Sequence, residues 1–204
     1  MHPIWTLIPA LTAWRVYTRV RTRSKSIYLT FDDGPDPEYT PPLLDLLARH
    51  DAKATFFLRG DNAERHAALT RRLVSGGHAL ANHSYSHPSF DKLTWRGQIE
   101  EIERTDRLLR DFDGRERHIF RPPYGRLTLW SLAFCLLRRH RVAMWTHDSL
   151  DFRLDADAIV QRLRELRVGS GDILLFHDDG AAGIRALEQV LPVWRAAGYN
   201  CLPL

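Results

Sequence analysis

The segment SIYLTFDDGPDP, residues 26–37, decides the fold of this chain. Its first six residues, SIYLTF, have the composition of a buried β-strand, and this run ends at Asp32 and Asp33. Two adjacent carboxylates resist common ionisation, so at the end of an apolar strand they require a positive partner such as a metal ion. An Asp-rich turn before a helix is the alternative, because Asp-Gly-Pro is also common in turns and at helix starts.

Similar apolar runs recur along the chain, and segments with leucines at helical spacing separate them. The expected strands are residues 26–31, 53–58, 78–82, 118–121, 141–146, 172–177 and 199–204. The expected helices are residues 41–50, 63–75, 94–110, 127–139, 155–167 and 184–197. This alternation predicts an α/β fold with a parallel sheet, which is either open and doubly wound or closed into a barrel.

Polar residues at the strand ends favour the closed form. Side chains capable of catalysis follow five of the runs: Asp32 and Asp33, His83 and His87, Arg121 to Tyr124, Asp148 and Asp151, and His177 and Asp178. Barrel enzymes assemble their active site from many strand ends at one rim, whereas open sheets recruit fewer. We therefore expect a single-domain (β/α) barrel with a site at the carboxyl ends of its strands.

The composition sets further limits. With 204 residues, of which 44% are hydrophobic and 26% charged, the chain can bury the core of one globular domain. The net charge is only +4, and most arginines lie beside acidic residues in helical segments, so we expect no nucleic-acid partner. Cys135 and Cys201 lie in apolar runs, which predicts buried free thiols rather than a disulfide.

Residues 1–25 differ from the rest and are expected to form an N-terminal segment before a domain of residues 26–204. The apolar residues 3–14 are followed by five basic residues: Arg15, Arg19, Arg21, Arg23 and Lys25. The apolar run is too short to span a bilayer, which takes about 20 residues, and its order does not fit a secretory signal. Two hypotheses stay open: residues 3–25 bind the surface of an anionic membrane, or the apolar run packs on the domain. We expect the protein to be cytoplasmic. Under the first hypothesis, it is also attached peripherally to the inner face of the membrane.

His83 and His87 lie four residues apart in the segment NHSYSHPSF. Taken alone, two histidines at this spacing are more often ordinary surface or core residues than metal ligands. Together with Asp32 and Asp33 it fits a catalytic metal site, because two imidazoles and one carboxylate leave coordination positions open for water and substrate. The same donors hold non-haem iron in oxygenases, but those proteins are typically all-β and this chain alternates β with α.

Two other segments carry candidate groups. The prolines of RPPYG, residues 121–125, make a rigid turn whose amides can face a ligand, and Arg121 would bring a positive charge to the acidic pair; an ordinary structural loop is the alternative. His177 ends an apolar strand, and either Asp148 or Asp151 could bond its second ring nitrogen. A histidine backed by a carboxylate is an acid–base group.

Five segments, taken in order, resemble the five motifs of the NodB-like polysaccharide deacetylases, carbohydrate esterase family four. They are TFDDGP, HSYSHP, RPPYG, DSLDF and LLFHD, and the resemblance runs from Ser26 to the C-terminus. It implies a distorted (β/α) barrel of about seven parallel strands. It also implies a metal-dependent hydrolase that removes an N-acetyl group from N-acetylhexosamine units of a polysaccharide, an oligosaccharide or a lipid-linked sugar. An O-acetyl esterase acting on an acetylated polysaccharide and a non-catalytic glycan-binding relative are the alternatives.

The resemblance assigns roles to the first three motifs. Asp33, His83 and His87 would bind one divalent metal ion, with Zn²⁺ expected. Asp32 would be the base that activates the attacking water, and Arg121 would hold this carboxylate and keep it ionised.

The last two motifs would supply the acid. His177 would protonate the leaving amine, and Asp151 would orient its ring. Asp148 stays a second candidate for this supporting role.

Three residues would contact the substrate under the same resemblance. The backbone amide of Tyr124 would bind the oxyanion, and Leu175 would shape the pocket for the acetyl methyl group. Phe152 departs from the family pattern, in which a tryptophan usually follows the aspartate. The phenyl ring keeps an aromatic wall but lacks the indole N–H donor.

Overall fold

The computed structural model describes residues 15–204, in which eight strands alternate with seven α-helices. The strands are Val16–Tyr17 (β1), Ser26–Asp32 (β2), Ala54–Leu58 (β3), Ala79–Asn82 (β4), Val142–Ala143 (β5), His147–Asp148 (β6), Ile173–His177 (β7) and Asn200–Cys201 (β8). The helices are Thr40–Arg49 (α1), Gly60–Arg65 (α2), Ala67–Ser75 (α3), Trp95–Asp113 (α4), Leu129–Leu137 (α5), Ala156–Glu165 (α6) and Ala181–Ala196 (α7).

Strand β2 is the centre of a parallel sheet with the order β4-β3-β2-β7-β6. Single-residue bridges complete the wall: Phe120 pairs in parallel with Asn82 at the end of β4 and with Val142 in β5, and Arg19, which follows β1, pairs in the antiparallel sense with Asp172 next to β7. Strand β1 pairs in parallel with β5, and β8 pairs with the start of β2. The predicted barrel is thus present in a distorted form, since part of its wall consists of bridges rather than full strands.

Apolar burial holds the central strands. All residues of β2 and β3 are buried, as expected for a parallel sheet covered on both faces. Inside this core, Phe31 stacks on Phe56 with their ring centroids 5.1 Å apart. The free thiols Cys135 and Cys201 are both buried, as the sequence predicts.

Two of the expected strands are not continuous strands in the structure. Residues 118–121 form no strand beyond the bridge at Phe120, because Pro122 and Pro123 follow and proline cannot continue a ladder. The expected strand 141–146 is replaced by the short strands β5 and β6. Where β5 ends, the guanidinium of Arg121 donates hydrogen bonds to the carbonyl oxygens of Ala143 and Met144, so a side chain and not a neighbouring strand bonds this part of the backbone.

The expected helix 63–75 is also interrupted. Its backbone leaves the helical region at His66 (φ −115°, ψ 47°), which separates α2 from α3. Helix α4 runs three residues beyond its expected end, to Asp113, and stops where Gly114 takes a left-handed conformation with φ 75°.

Residues 1–14 lie outside the described part of the chain, and with them the apolar run 3–14. The division into residues 1–25 and 26–204 stays a prediction. Within residues 15–204, no helix has both the length and the apolar character needed to cross a bilayer.

Candidate active site

A cleft of about 460 Å³ opens at the carboxyl ends of β2, β4, β6 and β7. Nine predicted site residues line it: Asp32, Asp33, His83, His87, Tyr124, Asp148, Phe152, Leu175 and His177. The other two, Arg121 and Asp151, lie behind the cleft and bond to Asp32 and His177 respectively. The lining also includes Gly125 and Trp145, to which the sequence reasoning gave no role.

Asp33, His83 and His87 form a cluster whose ligand atoms all lie within 4.8 Å of one another. Asp33 Oδ1 is 3.3 Å from His87 Nε2 and 3.9 Å from His83 Nε2. His83 Nδ1 lies 2.8 Å from the carbonyl oxygen of Arg121, and because a carbonyl only accepts, this nitrogen carries the proton. Nε2 therefore carries the lone pair of the ring and is free to bind a metal ion.

The two loops that carry this cluster depend on left-handed residues. Asp33, Ser84 and His87 have φ of 76°, 66° and 58°. Side-chain hydrogen bonds hold the second loop: Asn82 Oδ1 accepts the backbone N–H of Ser84, and Ser84 Oγ accepts that of His87. These local contacts turn two histidines that lie four residues apart toward one point without a helix.

The residues fit a divalent metal ion. Asp33 Oδ1 is buried and has no hydrogen-bond donor among the described residues, an arrangement that costs free energy unless a cation lies nearby. Burial lowers the pKa of His83 to about 3 and also lowers that of His87, so both imidazoles are neutral and can act as ligands. Two imidazoles and a carboxylate form a donor set that zinc accepts.

Asp32 lies beside this cluster and is held from behind by Arg121. Its Oδ1 accepts a hydrogen bond of 2.6 Å from the guanidinium, while its Oδ2 is 3.6 Å from His83 Nε2. Burial raises the pKa of Asp32, and the positive charge of Arg121 opposes this rise. One oxygen thus stays free to accept a proton inside the cleft.

His177 is paired with Asp151 and not with Asp148. Asp151 Oδ1 lies 2.8 Å from His177 Nδ1, and Asp151 Oδ2 accepts the backbone N–H of His177 at 2.7 Å. Asp148 instead uses Oδ1 to accept the backbone N–H of Leu150. Burial lowers the pKa of His177, but the hydrogen bond and the charge of Asp151, together with the charges of Asp32 and Asp33, outweigh burial and raise it to about 9. His177 therefore carries a proton at neutral pH.

Aromatic rings form the open walls of the cleft. Tyr124 and Phe152 are 64% and 67% exposed, and their rings lie edge-on to His87 and His177. Leu175 is buried and also lines the cleft. Gly125 has φ 64°, and a Cβ there would come within 2.9 Å of the Trp145 ring, so this glycine lets the indole reach the cleft. Trp145 lies just before the fourth motif, and no spacing rule distinguishes it from a core tryptophan.

The polysaccharide deacetylase family model matches residues 19–133. The chain belongs to the polysaccharide deacetylase family. A chitooligosaccharide deacetylase of Sinorhizobium fredii is 39% identical over 171 residues, which are 80% of this chain and 77% of that protein. A peptidoglycan-N-acetylglucosamine deacetylase of Bacillus cereus is 33% identical over 186 residues, which are 87% of this chain and 66% of that protein.

A solved structure extends the comparison to the fold. The crystal structure of a peptidoglycan N-acetylglucosamine deacetylase in complex with 4-naphthalen-1-yl-N-oxidanyl-benzamide superposes with a TM-score of 0.88 at 31% identity. The superposition covers 93% of this chain and 91% of that chain. The resemblance drawn from the five motifs and the distorted parallel barrel are both confirmed.

The pairing of His177 with Asp151 leads to a test on the metal-free protein. Asp151→Asn should lower the pKa of His177 from about 9 toward its ordinary value of 6.5, because the negative charge is lost. NMR titration of the imidazole measures the change. Asp148→Asn is the matched control, which keeps the bond to Asp151 and should shift the pKa less. A larger shift in Asp148→Asn would contradict the pairing.

The same pair should affect stability with a defined sign. Because the pKa of His177 lies above its ordinary 6.5, the protonated ring stabilises the fold; this contribution is full below pH 6.5 and is lost as the pH rises through about 9. Asp151→Asn should therefore lower the free energy of unfolding more at about pH 6 than at about pH 10. Urea unfolding at both pH values measures it.

Proposed function

We propose that this protein is a metal-dependent hydrolase that removes the N-acetyl group from N-acetylhexosamine units of a glycan, with Zn²⁺ as the expected ion. One observation carries the proposal. Asp32 and His177 are register partners on β2 and β7, and both line the cleft that contains the cluster of Asp33, His83 and His87. A base, an acid and a cation site in one small volume are what the hydrolysis of an amide requires.

Asp33, His83 and His87 would hold the ion, which when bound lowers the pKa of a water molecule and polarises the acetyl carbonyl. Asp32 accepts the proton of the attacking water on Oδ2, the oxygen that Arg121 does not use. Arg121 keeps the carboxylate ionised and directs its free oxygen into the cleft.

Groups of the third and fifth motifs hold the substrate. The backbone N–H of Tyr124 stabilises the negative charge that develops on the carbonyl oxygen. The acetyl methyl group lies against Leu175, which lines the cleft and is 5% exposed.

His177 completes the reaction. Its imidazolium transfers a proton to the nitrogen as the C–N bond breaks, because an amide nitrogen is a poor leaving group until it is protonated. The products are acetate and the free amine of the sugar. Asp151 holds the ring through Nδ1 and so leaves Nε2 as the proton donor.

An open cleft with exposed rings supports a glycan substrate. Tyr124 and Phe152 present apolar faces on which sugar rings can pack, and the relatives are named for peptidoglycan and chitooligosaccharides. We propose N-acetylglucosamine polymers as the first substrates to assay, with a lipid-linked sugar as the alternative. The non-catalytic alternative is weakened because Asp32 and His177 are both present and each has its partner.

A metal-binding assay combined with turnover tests the proposal. Wild-type protein reconstituted with zinc should hold about one equivalent and release acetate from N-acetylated oligosaccharides. Asp32→Asn should keep the zinc and lower the rate of acetate release about 10²–10⁴-fold, because it removes the base but no metal ligand. His83→Ala is the matched comparison and should lose both.

Two results would contradict the proposal. If the folded wild-type protein binds no zinc, the proposed mechanism has no cation and is wrong. Loss of zinc in Asp32→Asn, with the fold intact by circular dichroism, would show that Asp32 and Asp33 do not have separate roles.

His177→Ala distinguishes amide from ester hydrolysis. It should slow N-deacetylation by about 10²–10⁴ and slow the hydrolysis of an O-acetyl ester less, because an alcohol leaves more readily than an amine. His147→Ala is the matched control, since His147 pairs with Asp172 and does not line the cleft. Equal losses on both substrates would contradict a role of His177 as the acid to the amine.

The cytoplasmic location and the attachment of residues 3–25 to the inner membrane face stay predictions. Helix α5 supports attachment, because Leu129, Trp130 and Leu137 are 69%, 65% and 83% exposed and the exposed Arg139 follows the helix. Exposed apolar side chains next to basic ones suit an anionic lipid surface.

Replacing both Leu7 and Leu11 by aspartate in the full chain should abolish co-sedimentation with anionic vesicles. Val193→Asp is the matched control, an exposed apolar residue on α7. Unchanged sedimentation of the double variant, or no binding by the wild type, would contradict membrane attachment.

A further inference from the structure

One buried carboxyl group takes no part in the mechanism above. Asp178 follows His177 at the end of β7, and its side chain is fully buried without lining the cleft. Its Oδ2 accepts a hydrogen bond of 2.5 Å from the hydroxyl of Thr40, and its Oδ1 has no partner among the described residues. Burial raises its pKa to about 7.

Stability alone does not explain this residue. A buried carboxyl group with a single hydrogen bond and no cation costs free energy, and an apolar side chain of similar size would fill the same space at lower cost. The reason for a carboxyl group must therefore lie in what it touches.

Asp178 touches the loop that carries a proposed metal ligand. A Cβ built on Gly34 would lie 2.1 Å from Asp178 Oδ1 and 2.2 Å from Oδ2, so the carboxyl group fills the space where any other residue at position 34 would put its side chain. Gly34 directly follows Asp33 in the chain. The carboxyl group thus sets how far this loop can move toward the sheet.

Thr40 connects the far end of the same loop. Its hydroxyl donates to Asp178 and accepts the backbone N–H of Asp36 at 2.8 Å. The loop of residues 33–36 is therefore fixed at Gly34 by contact and at Asp36 through Thr40. Asp33 within it has a φ of 76°, a conformation that a non-glycine residue keeps only when its surroundings impose it.

We propose that Asp178 is a positioning residue that holds the loop of residues 33–36 so that the carboxylate of Asp33 faces His83 and His87. It acts through Gly34 and Thr40 and does not touch the substrate. The inference rests on the proposed metal-binding function, and it predicts zinc affinity rather than turnover as the primary quantity that depends on Asp178.

Zinc affinity, measured by competition with a chromophoric chelator, tests the proposal in the full chain. Asp178→Ala should weaken zinc binding about 10–100-fold, the usual effect of removing a group that orients a ligand. Asp178→Asn should restore most of the affinity, because it keeps the size of the side chain and an acceptor for Thr40. Thr40→Val keeps the shape of the side chain but breaks the connection to Asp36, and it should also weaken zinc binding. This variant provides the test if Asp178→Ala does not fold.

Thr70→Ala is the matched control. Thr70 is also buried, and its hydroxyl donates to the carbonyl oxygen of Ala63, which is not part of the loop. This variant should lower the melting temperature without changing zinc affinity. If Asp178→Ala and Thr40→Val behave in the same way, Asp178 is structural only and the proposal is wrong.

Gly34→Ala provides an independent test of the contact. Alone it should weaken zinc binding, because its methyl group collides with Asp178. Combined with Asp178→Ala it should bind zinc better than Gly34→Ala alone, since the collision is relieved. If the losses of zinc affinity in the two single variants simply add in the double variant, the contact between Gly34 and Asp178 is contradicted.

The failure of this inference differs from the failure of the proposed function. Zinc binding by the wild type without acetate release would contradict the proposed function only. Unchanged zinc affinity in Asp178→Ala, with normal acetate release by the wild type, would contradict the inference only.

Discussion

The buried ion pair of Arg121 and Asp32 is the interaction on which the rest of the site depends. Arg121 is completely buried, and a guanidinium in that position is tolerated only when its donors are satisfied. Its other hydrogen bonds reach Thr30 Oγ1 and the carbonyl oxygens of Ala143 and Met144. One side chain thereby ties the central strand β2 to the part of the barrel wall that contains only short strands.

The same arginine orients the cation site through its backbone. The carbonyl oxygen of Arg121 accepts the Nδ1 proton of His83 and so fixes the tautomer in which Nε2 is unprotonated. The proposed base and a proposed ligand are consequently held by the side chain and the main chain of one residue. Loss of Arg121 would leave Asp32 as a buried, unpaired carboxylate and would also disturb the wall of the barrel.

Environment, not residue type, separates the tasks of the histidines. Burial lowers the pKa of His83 to about 3, although the charge of Asp33 opposes this shift, and a neutral ring suits a ligand. His177 has Asp151 on its Nδ1, and its pKa is raised to about 9, which suits a proton donor. The two rings lie in one cleft, so a single site holds both a neutral imidazole and an imidazolium at neutral pH.

The sequence by itself determined the alternation of strands and helices, the rim on which the site lies and the residue types that form it, because periodicity and motif order are local properties of the chain. Only the tertiary structure decided that Asp151 and not Asp148 holds His177, that Arg121 interrupts the strand 141–146, and that Asp178 fits beneath Gly34. Each of these contacts joins residues that lie far apart in the sequence. Their directions are set by packing and left-handed turns, for which spacing along the chain provides no rule.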